Sequence, residues 1–275
     1  MKTRILVAAV GIPLLILLIF FAPLWAVGLA VGLISGCCAW ELLRCAEAGI
    51  PLRIRVYAAA AAFLIPVWRS LEFAVDGTFI VMFLLFFVIC CELILSFRGG
   101  ETMALETLAM VLLAGAVMPV LLSALVRLGL YKDTGRVLLL LPFIVTFSTD
   151  SGAYFVGSFL GKHKITPHVS PHKTLEGVIG GFLAAMLLTP LYGVILQTAG
   201  FTIRFAVLVC YAFLGSLACQ LGDLSFSAVK RLCGVKDYGA LIPGHGGMLD
   251  RFDSIHFTAP LIEALVLWIP AILAP

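Results

Sequence analysis

The sequence predicts an all-α fold: a polytopic integral membrane protein of about nine transmembrane helices carrying two polar cytoplasmic loops. Three observations predict it. Hydrophobic residues make up 62% of the chain and charged residues only 12%, against roughly a quarter charged in a soluble domain. The mean hydropathy is +1.14, and a soluble fold of 275 residues could not hide that much apolar surface. The apolar residues also fall into runs of about 20, the length that crosses a bilayer as a helix. A net charge of +3 leaves no basic footprint for nucleic acid, so no nucleic-acid partner is expected.

Nine apolar segments follow one another: 5–21, 24–41, 55–75, 78–97, 104–127, 137–159, 176–198, 203–226 and 256–274. The first follows Lys2 and Arg4 like a signal peptide, but no small-residue cleavage site comes after it, so it reads as a retained span. Ala22-Pro23 makes it a tight hairpin with the second. The third is interrupted by Pro66 and Arg69, and the sixth carries Ser148, Thr149, Asp150 and Ser151. No repeat or low-complexity linker divides the chain, so a single membrane domain, 1–275, is the economical reading. Its N-terminal spans occupy 1–136, and the half that carries the polar loops occupies 137–275. The eight cysteines show no CxxC spacing. Most lie in apolar segments, where Cys acts as a small hydrophobe, and neither a metal cluster nor a disulfide framework is expected.

Orientation follows from Lys and Arg. With the N-terminus inside, the inner segments hold 13 of these residues and the outer ones 5, accounting for all 18. The 127–136 loop, with Arg127, Lys132 and Arg136, runs against the trend. The two longest polar loops, 160–175 and 227–255, both fall on the cytoplasmic side of the cell membrane.

Those loops carry the chemistry. Asp223, Ser227, Lys230 and Arg231 stand at offsets of 4, 7 and 8 and so share one helical face, with Gln220 a turn earlier. An ion pair between Asp223 and Lys230 would explain them blandly. The next segment points further. In Gly244-His245-Gly246-Gly247 the glycines let backbone N–H groups approach an anion. Asp250 and Asp253 follow, three residues apart. With Asp223 they offer three hard carboxylate ligands suited to Mg²⁺ rather than Zn²⁺. Lys230, Arg231, Lys236 and Arg251 surround them. Clustered carboxylates among cations is a phosphate-handling pattern. A second constellation runs from Asp150 through Lys162, His163, Lys164, His168, His172 and Lys173 to Glu176. Its bland readings are a polar helix contact at Asp150 and ordinary positive-inside charge. Pro167 and Pro171 argue for an ordered, bent loop.

At these residues the chain resembles a known family. Ser227-Ala-Val-Lys230-Arg231, then Lys236-Asp237, then Pro243-Gly-His245-Gly246-Gly247-Met-Leu-Asp250-Arg251-Phe-Asp253 is similar to the signature of the phosphatidate cytidylyltransferases, or CDP-diacylglycerol synthases. The 150–177 stretch resembles that family's other polar loop; the first half matches only as hydrophobic spans. The resemblance implies the reaction CTP + phosphatidate → CDP-diacylglycerol + pyrophosphate in phospholipid biosynthesis. It implies Asp223, Asp250, Lys230, Arg231 and Lys236 as catalytic residues. Asp150, Lys162, Lys173, Ser227, His245, Gly246, Gly247 and Arg251 would bind substrate. Mg²⁺ would sit on Asp223 and Asp250, with Asp253 a third ligand or an orienter of Arg251. The family further implies an accompanying K⁺, not visible in the sequence, and a homodimer fits the same reading. Two other functions stay open at this point. A CTP-dependent polyprenol kinase would transfer the γ-phosphate and release CDP. An ion-coupled transporter would use Asp150 and Asp223 as midplane sites, but no inverted repeat supports it.

Overall fold

The runs of Leu, Val, Ala and Phe do form helices, because in lipid the backbone can satisfy its own N–H and C=O groups only that way or in a closed barrel. A computed structural model describes residues 2–46, 50–73, 76–97, 102–241 and 246–275, with the backbone alone for 2–8. In chain order the elements are α1 (Lys2–Phe21), α2 (Leu24–Ala46), α3 (Leu52–Ser70), α4 (Gly77–Ser96), α5 (Leu105–Leu112), a π turn (Leu113–Val117), α6 (Met118–Leu122), α7 (Ala124–Gly129), α8 (Gly135–Leu160), α9 (Leu175–Thr198), β1 (Thr202–Ile203), α10 (Phe205–Leu232), α11 (Leu249–Phe252), α12 (Ile255–Trp268) and β2 (Ile272–Leu273).

Among the described residues, six helical segments are long and apolar enough to cross a membrane: α2, α4, the α5–α7 run, α8, α9 and α10. The other three predicted spans are helical as well. α1 contributes the shorter apolar stretch Ala9–Phe21. α3 is a single 19-residue helix that holds Pro66 within it. α12 has 14 residues. The protein is therefore an all-α integral membrane protein. The ends of the eighth and ninth predicted spans differ from expectation, since β1 and β2 pair there as antiparallel strands. At the ninth, Pro270 disfavours a helical Ile269, which lies at φ −142°, ψ 78°.

The chain forms two compact units. One comprises Met1–Arg127 with Cys233–Phe252; the other comprises Leu128–Leu232 with Asp253–Pro275. In the first, α2 packs on α3 through Gly28, Gly32 and Gly36, one turn apart on a single face. A Cβ at Gly32 would come within 2.7 Å of the Phe63 carbonyl oxygen, and one at Gly36 within 3.3 Å of that of Ala59. Small residues at such spacing let membrane helices approach closely.

In the second unit α8 and α9 use the same device. A Cβ at Gly152 would lie 2.5 Å from the Gly180 oxygen, and one at Gly181 would lie 3.0 Å from that of Thr149. An apolar core of Leu138, Leu141, Val145, Leu208, Tyr211 and Ile262 joins α8, α10 and α12. Two hydroxyls anchor it: Tyr192 donates to the Val137 carbonyl at 3.0 Å and Tyr211 to that of Ile269 at 2.6 Å. This frame fixes the C-terminal end of α10, where the charges begin.

Candidate active site

In the unit containing α8–α10, the polar face expected on α10 is present. Ser227 Oγ donates to Asp223 Oδ1 at 3.3 Å, one turn apart. A cationic partner of Asp223 comes from elsewhere in the chain. Lys173 Nζ lies 2.6 Å from Asp223 Oδ2, with side chains 22% and 34% exposed, and also donates to the Gln220 carbonyl at 3.5 Å. Arg231 Nε donates to the Val169 carbonyl at 3.2 Å. The 161–174 loop is thus tied at two points to the polar end of α10.

The loop holds itself in place for this. Ile165 N–H donates to the Lys173 carbonyl and Leu175 N–H to that of His163, at 3.2 and 2.8 Å, and Lys164 bridges Thr174. Glu176 accepts from the N–H groups of Lys162 and His163 at 3.0 and 3.2 Å, and its other oxygen lies 2.6 Å from His163 Nδ1. Thr174 caps α9 by accepting from Gly177 N–H. The Lys162 side chain is exposed.

Asp253 lies in the same unit, just before α12, and is 8% exposed. Its Oδ1 accepts from Ser254 N–H at 2.7 Å and from Ser254 Oγ at 3.3 Å. Burial pushes its carboxyl up to about 7, and the Asp223 charge adds to the effect, with Asp150 acting the same way and Lys230 opposing. Asp150 accepts from Cys219 Sγ at 3.5 Å. The structure therefore gathers Asp150, Lys173, Asp223, Ser227, Lys230, Arg231 and Asp253 into one unit.

The remaining candidates belong to the unit containing α2 and the 233–252 segment. Asp250 Oδ2 accepts from the N–H groups of Tyr238 and Gly247, each at 2.9 Å. Gly246 has φ +80°, a left-handed conformation glycine adopts at no steric cost. Lys236 and Arg251 are exposed, and His245 lies outside the described residues. Sequence reasoning missed Glu41 of α2. It is 7% exposed and accepts from Met248 N–H through Oε1 at 2.9 Å and from Leu249 N–H through Oε2 at 2.8 Å. An ionisable residue inside an apolar span was the signal that could have found it. Among the described residues, no group of three or more His, Cys, Asp and Glu side chains is gathered to hold a metal.

Comparison with known proteins adds the decisive observation. The profile of the Cytidylyltransferase family matches residues 2–269. The chain belongs to the cytidylyltransferase family. Its relatives include proteins named phosphatidate cytidylyltransferase. That of Staphylococcus saprophyticus subsp. saprophyticus is 44% identical over 138 residues, covering 50% of this chain and 52% of the relative. That of Bacillus subtilis is 46% identical over 123 residues, 45% of each chain. The matched stretch of the chain spans about half the length of these relatives.

Proposed function

We propose that the protein transfers a cytidylyl group from CTP to phosphatidate, giving CDP-diacylglycerol and pyrophosphate, at the cytoplasmic face of the cell membrane. One observation carries this reading. The Lys173–Asp223 bridge brings the lysine loop to the polar end of α10, so that loop and that helix share one set of charges. A lipid substrate accounts for the membrane spans, and a cytosolic nucleotide accounts for charge concentrated in the loops. In this reading α1, α3 and α12 also cross the membrane, bringing the spans to nine. α12 rises only about 21 Å, so the extended chain after Trp268 completes its crossing.

The phosphate monoester of phosphatidate is largely ionised near pH 7, since its second pKa is about 6, and needs no general base. Its oxygen attacks the α-phosphorus of CTP. A new O–P bond forms, the bond to the bridging oxygen breaks, and pyrophosphate leaves. Two anions must meet, and charge grows on the leaving group. Lys173, Lys230 and Arg231 answer the first demand, while Lys236, His245 and Arg251, with the backbone at Gly246, hold phosphoryl oxygens; Gly247, whose N–H goes to Asp250, lets that backbone come close. Asp150, Lys162 and Ser227 orient substrate.

The donor chemistry fits Mg²⁺. Mg²⁺ takes one or two protein carboxylates and keeps its remaining positions for water and substrate phosphates, so a closed cage of three ligands is not required. The buried Asp253 carboxyl, held up by burial and then by the nearby Asp223 charge, is a group that a bound cation would stabilise in its ionised form. In this reading Asp223, Asp250 and Asp253 are the carboxylates that serve Mg²⁺, which would supply neutralisation of phosphoryl oxygens and of the pyrophosphate leaving group. K⁺ beside Mg²⁺ belongs to this reading through the family resemblance alone, and a homodimeric assembly is compatible with it.

The test is incubation of the purified protein with phosphatidate, Mg²⁺ and CTP labelled separately at the α- and γ-phosphates. The α-label should enter the lipid and the γ-label should leave in pyrophosphate. Transfer of the γ-label to lipid would mean a kinase instead.

Two further outcomes follow from the same reading. Cysteines introduced at His168 and Asp237, both exposed, in a cysteine-free background should react with an impermeant thiol reagent only from the cytoplasmic side. Labelling of either from outside would reverse the orientation. Lys173→Ala should raise KM for one substrate by about tenfold, the loss of one charge-assisted hydrogen bond, with kcat nearly unchanged. Its partly exposed ion pair contributes about 1 kcal/mol or less to stability, so folding should survive. Kinetic constants within about twofold of wild type for both substrates would remove the loop from the site.

A further inference from the structure

We infer that Glu41 of α2 is a positioning residue for the 246–252 segment, fixing the main chain that presents Asp250; this rests on the cytidylyl-transfer reading. The inference starts from the cost of placing a carboxyl group inside an apolar helix, which is recovered only where its oxygens find donors. Both oxygens do, and their donors are consecutive: Met248 N–H at 2.9 Å and Leu249 N–H at 2.8 Å. These amides immediately precede Asp250, and Leu249 opens α11. The approach is close. A Cβ at Gly239 would stand 2.6 Å from Glu41 Oε1, and one at Gly247 would stand 2.5 Å from Oε2. The glycines therefore leave a notch that the Glu41 carboxyl group fills.

This changes the reading of Gly247. Its missing side chain makes room for Glu41, and its own N–H turns toward Asp250 Oδ2 at 2.9 Å. One short stretch, Gly247-Met248-Leu249, is thereby held between two carboxyl groups. Glu41 takes the second and third amides; Asp250 takes the first, together with Tyr238 N–H. Cys45, one turn beyond Glu41 on α2, adds a contact from its Sγ to the Tyr238 carbonyl at 3.1 Å. A shift at Glu41 would reach Asp250 through a single peptide unit. A helix–loop contact needed for packing alone would place no such demand on two successive amides beside a proposed metal ligand.

The variants Glu41→Gln, Glu41→Ala, Gly247→Ala and the Glu41→Ala/Gly247→Ala pair, in the full chain in lipid nanodiscs, test this. Hydrogen exchange of the 246–252 peptide is measured without substrate. Steady-state kinetics are measured with CTP, phosphatidate and varied Mg²⁺. Glu41→Ala should speed exchange at Met248 and Leu249. It should also raise the half-activating Mg²⁺ concentration and lower kcat by about 10- to 100-fold, as loss of a ligand-orienting contact does, with KM for phosphatidate nearly unchanged. Glu41→Gln keeps one acceptor but faces an NH₂ toward the other amide, so it should fall between. Gly247→Ala should cost less with Ala at 41 than in the wild type, because the obstructing carboxyl group is gone.

Faster exchange with unchanged Mg²⁺ dependence and kcat would overturn the inference, leaving Glu41 a packing residue; so would unchanged exchange. If Glu41→Ala does not fold, the Gln variant, nearly the same in shape, decides by the same readouts. Failure of the wild-type protein to form CDP-diacylglycerol would sink the reaction assignment itself. In that event the exchange data alone still decide whether Glu41 holds the segment.

Discussion

Asp223→Asn should lower kcat by about 10²- to 10³-fold or more, the scale on which electrostatic stabilisation of a developing charge is lost, while the protein inserts and folds normally. Asn keeps the shape of Asp and an oxygen that can accept from Ser227 Oγ, so the i, i+4 bond along α10 can persist. What goes is the charge facing Lys173 at 2.6 Å. That pair is partly exposed and contributes about 1 kcal/mol or less, so stability changes little while activity changes greatly. The disparity separates a reactive role from a structural one. Activity assayed with phosphatidate and CTP, beside melting in detergent, measures both quantities. Excess Mg²⁺ should not restore full turnover, because the donor is missing rather than unsaturated. Retention of most wild-type activity would end the assignment of Asp223 as a metal ligand.

The position of Asp223 also shows what helical periodicity can and cannot reach. Offsets of 4, 7 and 8 place Asp223, Ser227, Lys230 and Arg231 on one face, and the Ser227–Asp223 bond bears that out. Periodicity describes neighbours within a helix only. A cation found on Asp223 is Lys173, 50 residues earlier in the chain, brought there by a loop whose turns depend on Glu176, Thr174 and the chain pairing at Lys164. A sequence marks such a loop as ordered through its prolines but does not give its closure.

Hydropathy likewise located the helices better than their ends. Short apolar runs near Ile203 and Ile272 fit helix and strand alike, and they pair as strands. Proline at 270 was the available signal. Glu41 is legible in principle as an ionisable residue within an apolar span, but a lone acid among Trp, Leu and Leu is a weak signal beside a dense charged run. The glycines at 28, 32 and 36 show the same lesson: their four-residue spacing is a packing code that a search for chemistry passes over.

Asp250→Asn and Asp250→Ala should part company, and their difference isolates charge from architecture. In the native chain Asp250 Oδ2 gathers the N–H groups of Tyr238 and Gly247, closing the turn that includes the left-handed Gly246. Asn offers an amide oxygen to the same two donors, so the turn can survive while the charge is lost. Ala removes the acceptor and leaves both amides without that partner, at a cost of about 1–3 kcal/mol for each one that water does not reach. Turnover should therefore fall by about 10²- to 10³-fold or more in both variants if Asp250 supplies charge to the reaction. Only Asp250→Ala should also open the 233–252 segment, seen as faster hydrogen exchange and protease cleavage after Lys236 or Arg251. Near-normal turnover in Asp250→Asn, with loss confined to Asp250→Ala, would make Asp250 a turn-forming residue and leave metal binding to the carboxylates of the α8–α10 unit.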